Sequence, residues 1–275
     1  MTSVMRQRHS IATLALAGFL SLILMGCSAT VEPPVPVRLQ LAGSSAMQVM
    51  MEQLADAYTA RYGWITIDID PRGSQLGLEA LREGSIDIAL ISRELSPSEE
   101  RGLTETVIAY DAIAIVVNDQ NPVDALTTEQ LRAIFSGKTL MWSEVGGEEA
   151  DIQVVSREDG SGTRASFEGL VMGEEEVTTM AVVVPNNDAV GKFVEEDPFS
   201  IGYASAVGLP LGTKALAIGG VTPTLQGVAQ DEYPLIRPFV LVSRRNGEEE
   251  VRSFLDFVLG PAGQALVGQR YGRVR

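Results

Sequence analysis

A short apolar run ending in a Gly–Ser turn and giving way to a helically spaced apolar stripe recurs along this chain. That repeat constrains the fold more than any other feature. Val37 to Leu41 runs into Ala42-Gly43-Ser44-Ser45, after which Met47, Met50, Met51, Leu54 and Tyr58 form one core-facing helical stripe. Ser45 and Gln48 have capping-box spacing at its start. Ile65, Ile67 and Ile69 alternate as a strand that leads to Arg72-Gly73-Ser74 and a second helix through Leu76, Leu78 and Leu81. Ile86 to Ile91 is a third strand, ending at Ser92-Arg93, and Ser96, Pro97 and Glu99 then predict another helix start. The alternation argues for an α/β class. Ligands of open α/β sheets sit at the carboxyl ends of strands, so three successive strand-end serines, Ser45, Ser74 and Ser92, are candidate donors.

Asp111 stands just ahead of an apolar strand predicted over Ala112 to Val117. A helix is predicted over Thr127 to Phe135, with Thr127 and Gln130 at capping-box spacing, then a strand from Ala181 to Val184 and a helix from Asp188 to Val194. Tyr233-Pro234 and Arg237-Pro238 lead into an extended Phe239 to Val242, followed by an amphipathic helix with Val251, Phe254, Leu255 and Val258. The order suggests a second lobe inserted in the first.

Between these lies Arg157-Glu158-Asp159-Gly160-Ser161-Gly162-Thr163, preceded by the strand-like Ile152, Val154 and Val155. Two glycines allow a tight turn that aims successive N–H groups at one point, and the helix that follows adds its positive end. Ser161 and Thr163 supply hydroxyls, and Arg157 supplies a planar fork suited to an oxyanion. The loop therefore reads as a site for a small tetrahedral anion.

Composition removes several alternatives. Arg6 and Arg8 precede an uncharged apolar run from Ile11 to Met25, a secretory pattern, and Leu24-Met25-Gly26-Cys27 has the form of a bacterial lipobox. Residues 1–26 are expected to be a lipoprotein signal peptide, Cys27 the acylated first mature residue, and the proline-rich 27–37 an extended tether. Removing 26 of 275 residues leaves 249, with 19 basic and 36 acidic side chains, a formal charge of −17. Such acidity disfavours nucleic acid and anionic surfaces, so any anion must be held by local donors. The only histidine is His9 and the only cysteine is Cys27, which leaves the expected mature domain without Ser-His-Asp or Cys-His catalysis, Cys/His zinc sites or internal disulfides. Carboxylate-pair and lysine chemistry stay open.

Taken together, Gly43-Ser44-Ser45, Arg72-Gly73-Ser74, Asp87-Ile88-Ala89 with Ser92-Arg93-Glu94-Leu95, Tyr110-Asp111, the 157–163 loop, Ile201-Gly202-Tyr203, Tyr233-Pro234 with Arg237-Pro238, and Gly263-Gln264 resemble one family. It is that of the phosphate-binding proteins of bacterial high-affinity phosphate ABC importers, in the type II periplasmic-binding-protein superfamily. The resemblance implies two α/β lobes joined by crossing hinge strands, with lobe 1 at 38–112 and 226–275 and lobe 2 at 113–225. It implies phosphate contacts from Ser45, the Ala46 N–H, Ser74, Ser92 and Arg93 in lobe 1. From lobe 2 it implies Arg157, Ser161 and the Gly162 and Thr163 N–H groups. Asp111 is expected to accept the proton that hydrogen phosphate keeps and sulfate lacks, with Asp159 as the alternative. Departures are Ala46 and Met47 where many relatives carry hydroxyls, and Arg93 where others carry aspartate. No metal, cofactor or catalytic residue is expected. The implied partners are inorganic phosphate, the transmembrane subunits of an ABC permease, and the membrane through lipidated Cys27, for a monomer in the cell envelope. Rival readings are a receptor for sulfate or tungstate, a phosphate-sensing lipoprotein, and an extracellular phosphoester hydrolase.

Overall fold

The strand–turn–helix repeat appears directly as a parallel sheet. In the computed structural model, which describes residues 35–274, β1 (Val37–Gly43), α1 (Gln48–Arg61), β2 (Ile65–Asp70), α2 (Ser74–Glu83) and β3 (Ile88–Ile91) follow one another. β1 runs parallel to both β2 and β3. The expected leader, Cys27 and most of the tether lie outside the described residues. From Pro36 onward the described residues form one compact unit.

The next strand, β4 (Leu103–Asn118), is 16 residues long. The second half of the chain adds β5 (Ala125–Leu126), α3 (Thr128–Phe135), β6 (Gln153–Arg157), α4 (Gly162–Phe167), β7 (Val182–Val184), α5 (Asn187–Glu196) and β8 (Ser200–Ser205). Then come β9 (Thr213–Ala215), β10 (Ala217–Ile218), α6 (Leu225–Ala229), β11 (Ile236–Arg244), α7 (Glu249–Leu259), α8 (Pro261–Val267) and β12 (Gly272–Arg273). The sheet order is β2-β1-β3-β11-β4-β8-β6-β7. β11 inserts antiparallel between β3 and β4, so the C-terminal segment returns to the first sheet.

β4 is the crossover. It pairs with β11 as far as Ala112 and with β8 from Ile113, both antiparallel. Its period-two pattern faces Ile113, Ile115 and Val117 into one core of the second lobe, and Ala114 and Val116 into the other. In the first lobe the methionine stripe, Leu39, Leu41, Phe239, Leu241 and Phe254 fill one face of the sheet. Leu78 and Leu81 of α2 pack on the opposite face with Ala89, Val240 and Val242. The fold is thus the expected two-lobed α/β architecture.

Four local expectations change. Asp111 is inside β4 rather than ahead of a strand, because Thr104, Thr106, Val107 and Ala109 extend the ladder against β11, with a bulge at Ile108. Ser45 does not cap α1: it lies within a 3₁₀ turn, Ser45–Met47, and Gln48 donates instead to Glu52. No helix follows Ser96. The Glu99 carboxylate accepts from Ser96 N as a cap would, but Arg93 also holds it, and the segment stays a turn. Finally, the chain stays with the second lobe past residue 226, since Tyr233 and Leu235 belong to that core and Ile236 packs against it.

Candidate functional site

The loop after β6 is built to hold one arginine still. Tyr203 Oη lies 2.7 Å from Ser156 Oγ and accepts from the Arg157 N–H at 3.3 Å. The Phe167 ring stacks on Tyr203, at 4.1 Å between centroids, and burial pushes the Tyr203 hydroxyl up to about 12. Gly160 turns the chain at φ +83°, a left-handed conformation that glycine adopts without Cβ strain. Ser161 then caps α4 by accepting from the Arg164 N–H at 3.3 Å. Arg164 ties the loop together through Glu168, Asp159 and the Arg157 carbonyl. Asp159 itself is turned to solvent, its side chain 97% exposed and paired with Arg164.

Arg157 is buried at 1% exposure. Its Nε and Nη2 donate to the two Glu158 oxygens at 2.8 Å each, while its Nη1 is buried with no partner. A buried unpaired donor on a charged group costs about 1–3 kcal/mol or more. The first N–H groups of α4, from Gly162 and Thr163, have no intrahelical acceptor.

Against this loop stand the first-lobe serines. Ser44 Oγ donates to Ser92 Oγ at 2.8 Å, and Ser92 N donates to Ser74 Oγ at 3.3 Å. Ser74 and Ser92 are fully buried. They lie so near the second lobe that a Cβ on Gly162 would overlap Ser74 Oγ and come within 2.6 Å of Ser92 Oγ. Lobe-to-lobe hydrogen bonds surround the point: Gln75 N to Gly160 O at 3.1 Å, Ser166 Oγ to Ser92 O at 3.0 Å, and Asn187 N to Ser45 Oγ at 3.1 Å. Ser45 accepts in that contact, which leaves its own proton free to donate. Ala46 is buried beside it.

Arg93 is brought to the cleft, where its Nη2 reaches Gln75 Oε1 at 3.4 Å. Its guanidinium donates to both Glu99 oxygens, at 2.9 and 2.7 Å, and to the Glu94 carbonyl. The Arg93 hydrogen bonds hold the Glu99 carboxyl down to about 2. Arg93 and Ala165 line both of two inter-lobe cavities, of about 350 and 230 Å³.

Asp111 sits at the crossover, 1% exposed. Its Oδ1 accepts from Ser205 Oγ at 2.7 Å, and its Oδ2 accepts from Arg237 Nε and Nη2 at 3.0 and 2.8 Å. Burial pushes its carboxyl up, opposed by the Arg237 guanidinium and the Ser205 hydroxyl. Arg237 was not among the sequence-predicted donors. The signal that marks it is a lone arginine in the apolar run Ile236-Arg237-Pro238-Phe239-Val240, where a charge must be paired or used. No group of three or more His, Cys, Asp or Glu side chains able to hold a metal occurs among the described residues.

Residues 29–262 match the model of the PBP superfamily domain. The chain belongs to the PBP superfamily. Among curated members, it is 26% identical over 243 residues to the phosphate-binding protein PstS of Borreliella burgdorferi, covering 84% of this chain and 87% of that one. It is 28% identical to the PstS of Bacillus subtilis, covering 84% and 78%. A provisionally assigned phosphate ABC transporter substrate-binding protein of Clostridium perfringens, solved with bound phosphate, superposes with a TM-score of 0.84 at 35% identity, covering 86% of this chain and 100% of that one. An ABC-type phosphate transport receptor from Vibrio cholerae superposes at 0.72 with 33% identity, covering 85% and 99%. In this superfamily member, no helix among the described residues is long and apolar enough to cross a membrane.

Proposed function

We propose that this chain is an extracytoplasmic solute-binding protein that captures inorganic phosphate between its lobes for an ABC importer. One observation carries the reading. Arg157 Nη1 is buried and unpartnered in the loop whose Gly162 meets Ser74 and Ser92 of the opposite lobe. A tetrahedral oxyanion there would receive charge-assisted bonds from the guanidinium together with hydroxyl and main-chain donors. The names of the relatives support phosphate as that anion.

In this reading Ser45, the Ala46 N–H, Ser74 and Ser92 donate from the first lobe, and Arg157, Ser161, Gly162 and Thr163 from the second. Arg93, paired with Glu99 in this state, would contact the anion from the first lobe by exchanging part of that pairing. Asp111 accepts the hydrogen phosphate proton through the remaining lone pair of Oδ1. Donors from both lobes converge only when the lobes meet, so the anion favours the closed state, and closure reports occupancy to the permease. No chemical step is assigned. Acylated Cys27 and the tether 27–37 would hold the domain at the membrane as a monomer, with more than one acyl chain needed for stable anchoring.

Isothermal titration with phosphate, sulfate, arsenate and tungstate tests this. Phosphate binding with sulfate rejected supports it; sulfate or tungstate bound without phosphate rules it out.

A further inference from the structure

Arg237 has the same unused edge as Arg157. Its Nε and Nη2 grip Asp111, the Phe239 ring lies 5.2 Å from its Cζ, and its Nη1 is buried with no partner. The residue is 1% exposed. It stands at the crossover, directly opposite Asp111 in the β4–β11 register, and with Ile236 and Pro238 it lines the larger inter-lobe cavity beside Arg93 and Ser166. The Arg157 charge reaches it and opposes its own. Two buried guanidiniums, each holding one acidic neighbour by the Nε/Nη2 edge and each with Nη1 empty, leave two charge-assisted donors that a shared anion would satisfy.

We propose that Arg237 is a second charged ligand of the oxyanion, contributing Nη1 from the crossover strand opposite the Nη1 of Arg157. Asp111 has a positioning part in this arrangement: by taking the Nε/Nη2 edge it fixes which edge of Arg237 meets the anion. Two guanidiniums would then engage unprotonated oxygens, while the protonated oxygen faces Asp111 Oδ1. Since the crossover strands belong to neither lobe alone, an anion on Arg237 is bound to the hinge as well as to both jaws. The inference rests on the phosphate-capture reading. It competes with one in which Nη1 serves only the fold, bridged by water to the Tyr271 hydroxyl, which is also buried without a partner and within electrostatic reach of Asp111 and Arg237.

The test combines calorimetry on the mature protein with a crystal structure of its phosphate complex. Arg237→Gln is paired with the double variant Asp111→Asn/Arg237→Gln, which removes both charges and so avoids leaving a carboxylate buried alone. Arg237→Gln should weaken phosphate binding by roughly tenfold to a hundredfold, the value of a charge-assisted bond, and the double variant should lose a similar factor beyond Asp111→Asn alone while still melting cooperatively. In the complex, Arg237 Nη1 should lie within about 3 Å of a phosphate oxygen. A folded double variant that binds phosphate within roughly threefold of Asp111→Asn overturns the proposal. So does a complex with Nη1 on Tyr271 or water and the anion elsewhere. Wild-type protein that binds sulfate and not phosphate would contradict the phosphate reading alone, and the same variants would then be titrated with sulfate. Wild-type protein that binds neither overturns both.

Discussion

Ser166 donates its hydroxyl proton to the main-chain oxygen of Ser92 at 3.0 Å, joining helix α4 of the second lobe to the end of β3 in the first. The bond exists only while the lobes touch, so it stabilises the closed state and neither lobe by itself. Ser166→Ala should lower phosphate affinity by roughly two- to tenfold, the worth of one neutral hydrogen bond. The melting temperature without phosphate should move little. Titration calorimetry beside a thermal melt checks both.

Gly162 is where the two jaws come closest. A methyl group there would overlap Ser74 Oγ and press on Ser92 Oγ. Because both neighbours are in the opposite lobe, Gly162→Ala should leave each lobe folded and block closure. Phosphate binding should fall by roughly a hundredfold or more. Scattering in solution should find the variant in the same extended shape with and without phosphate, while the wild type contracts.

Asp111 is expected to set selectivity. Asp111→Asn keeps the shape and one acceptor for Arg237 but loses the charge that favours a protonated oxyanion. Phosphate affinity should drop roughly tenfold to a hundredfold, and sulfate should bind at least as well as it does to wild type. Competition titrations with the two anions separate these outcomes.

Glu99 makes a prediction in pH. Its carboxyl is held at about 2, against an ordinary 4.5, mainly by hydrogen bonds from Arg93. A carboxyl depressed on folding adds stability that is fully present above the unfolded value and lost as pH falls toward the folded one. Glu99→Gln should therefore destabilise the protein by about 1–2 kcal/mol near pH 7, allowing for partial solvent screening. The difference from wild type should shrink steadily below pH 4.5 and vanish near 2. Denaturant titrations of both proteins across that range measure it.

What the sequence disclosed follows the range over which each signal acts. The methionine stripe and the Ile65-Ile67-Ile69 alternation are local periodicities, and burial follows them directly. The turn and helix cap of the 157–163 loop were legible for the same reason, since they lie with Arg157 within seven consecutive residues. Arg237 was not. It is 126 positions from Asp111, and only the insertion of β11 beside β4 brings the two together. The helix expected after Ser96 failed because a local capping signal was outcompeted: Glu99 is held by Arg93 as well as by the turn. Ser45 had capping-box spacing, yet its hydroxyl meets Asn187 of the other lobe, a partner that no local pattern encodes.

Phosphate capture by a closed clamp is tested most directly by titrating the mature protein and its Arg157→Gln variant with phosphate and with sulfate near neutral pH. Wild type should bind one phosphate at micromolar affinity or tighter and reject sulfate by roughly a hundredfold, and the variant should lose phosphate binding by a similar factor. A wild type that prefers sulfate, or an Arg157→Gln protein that binds phosphate as tightly as wild type, would contradict the account.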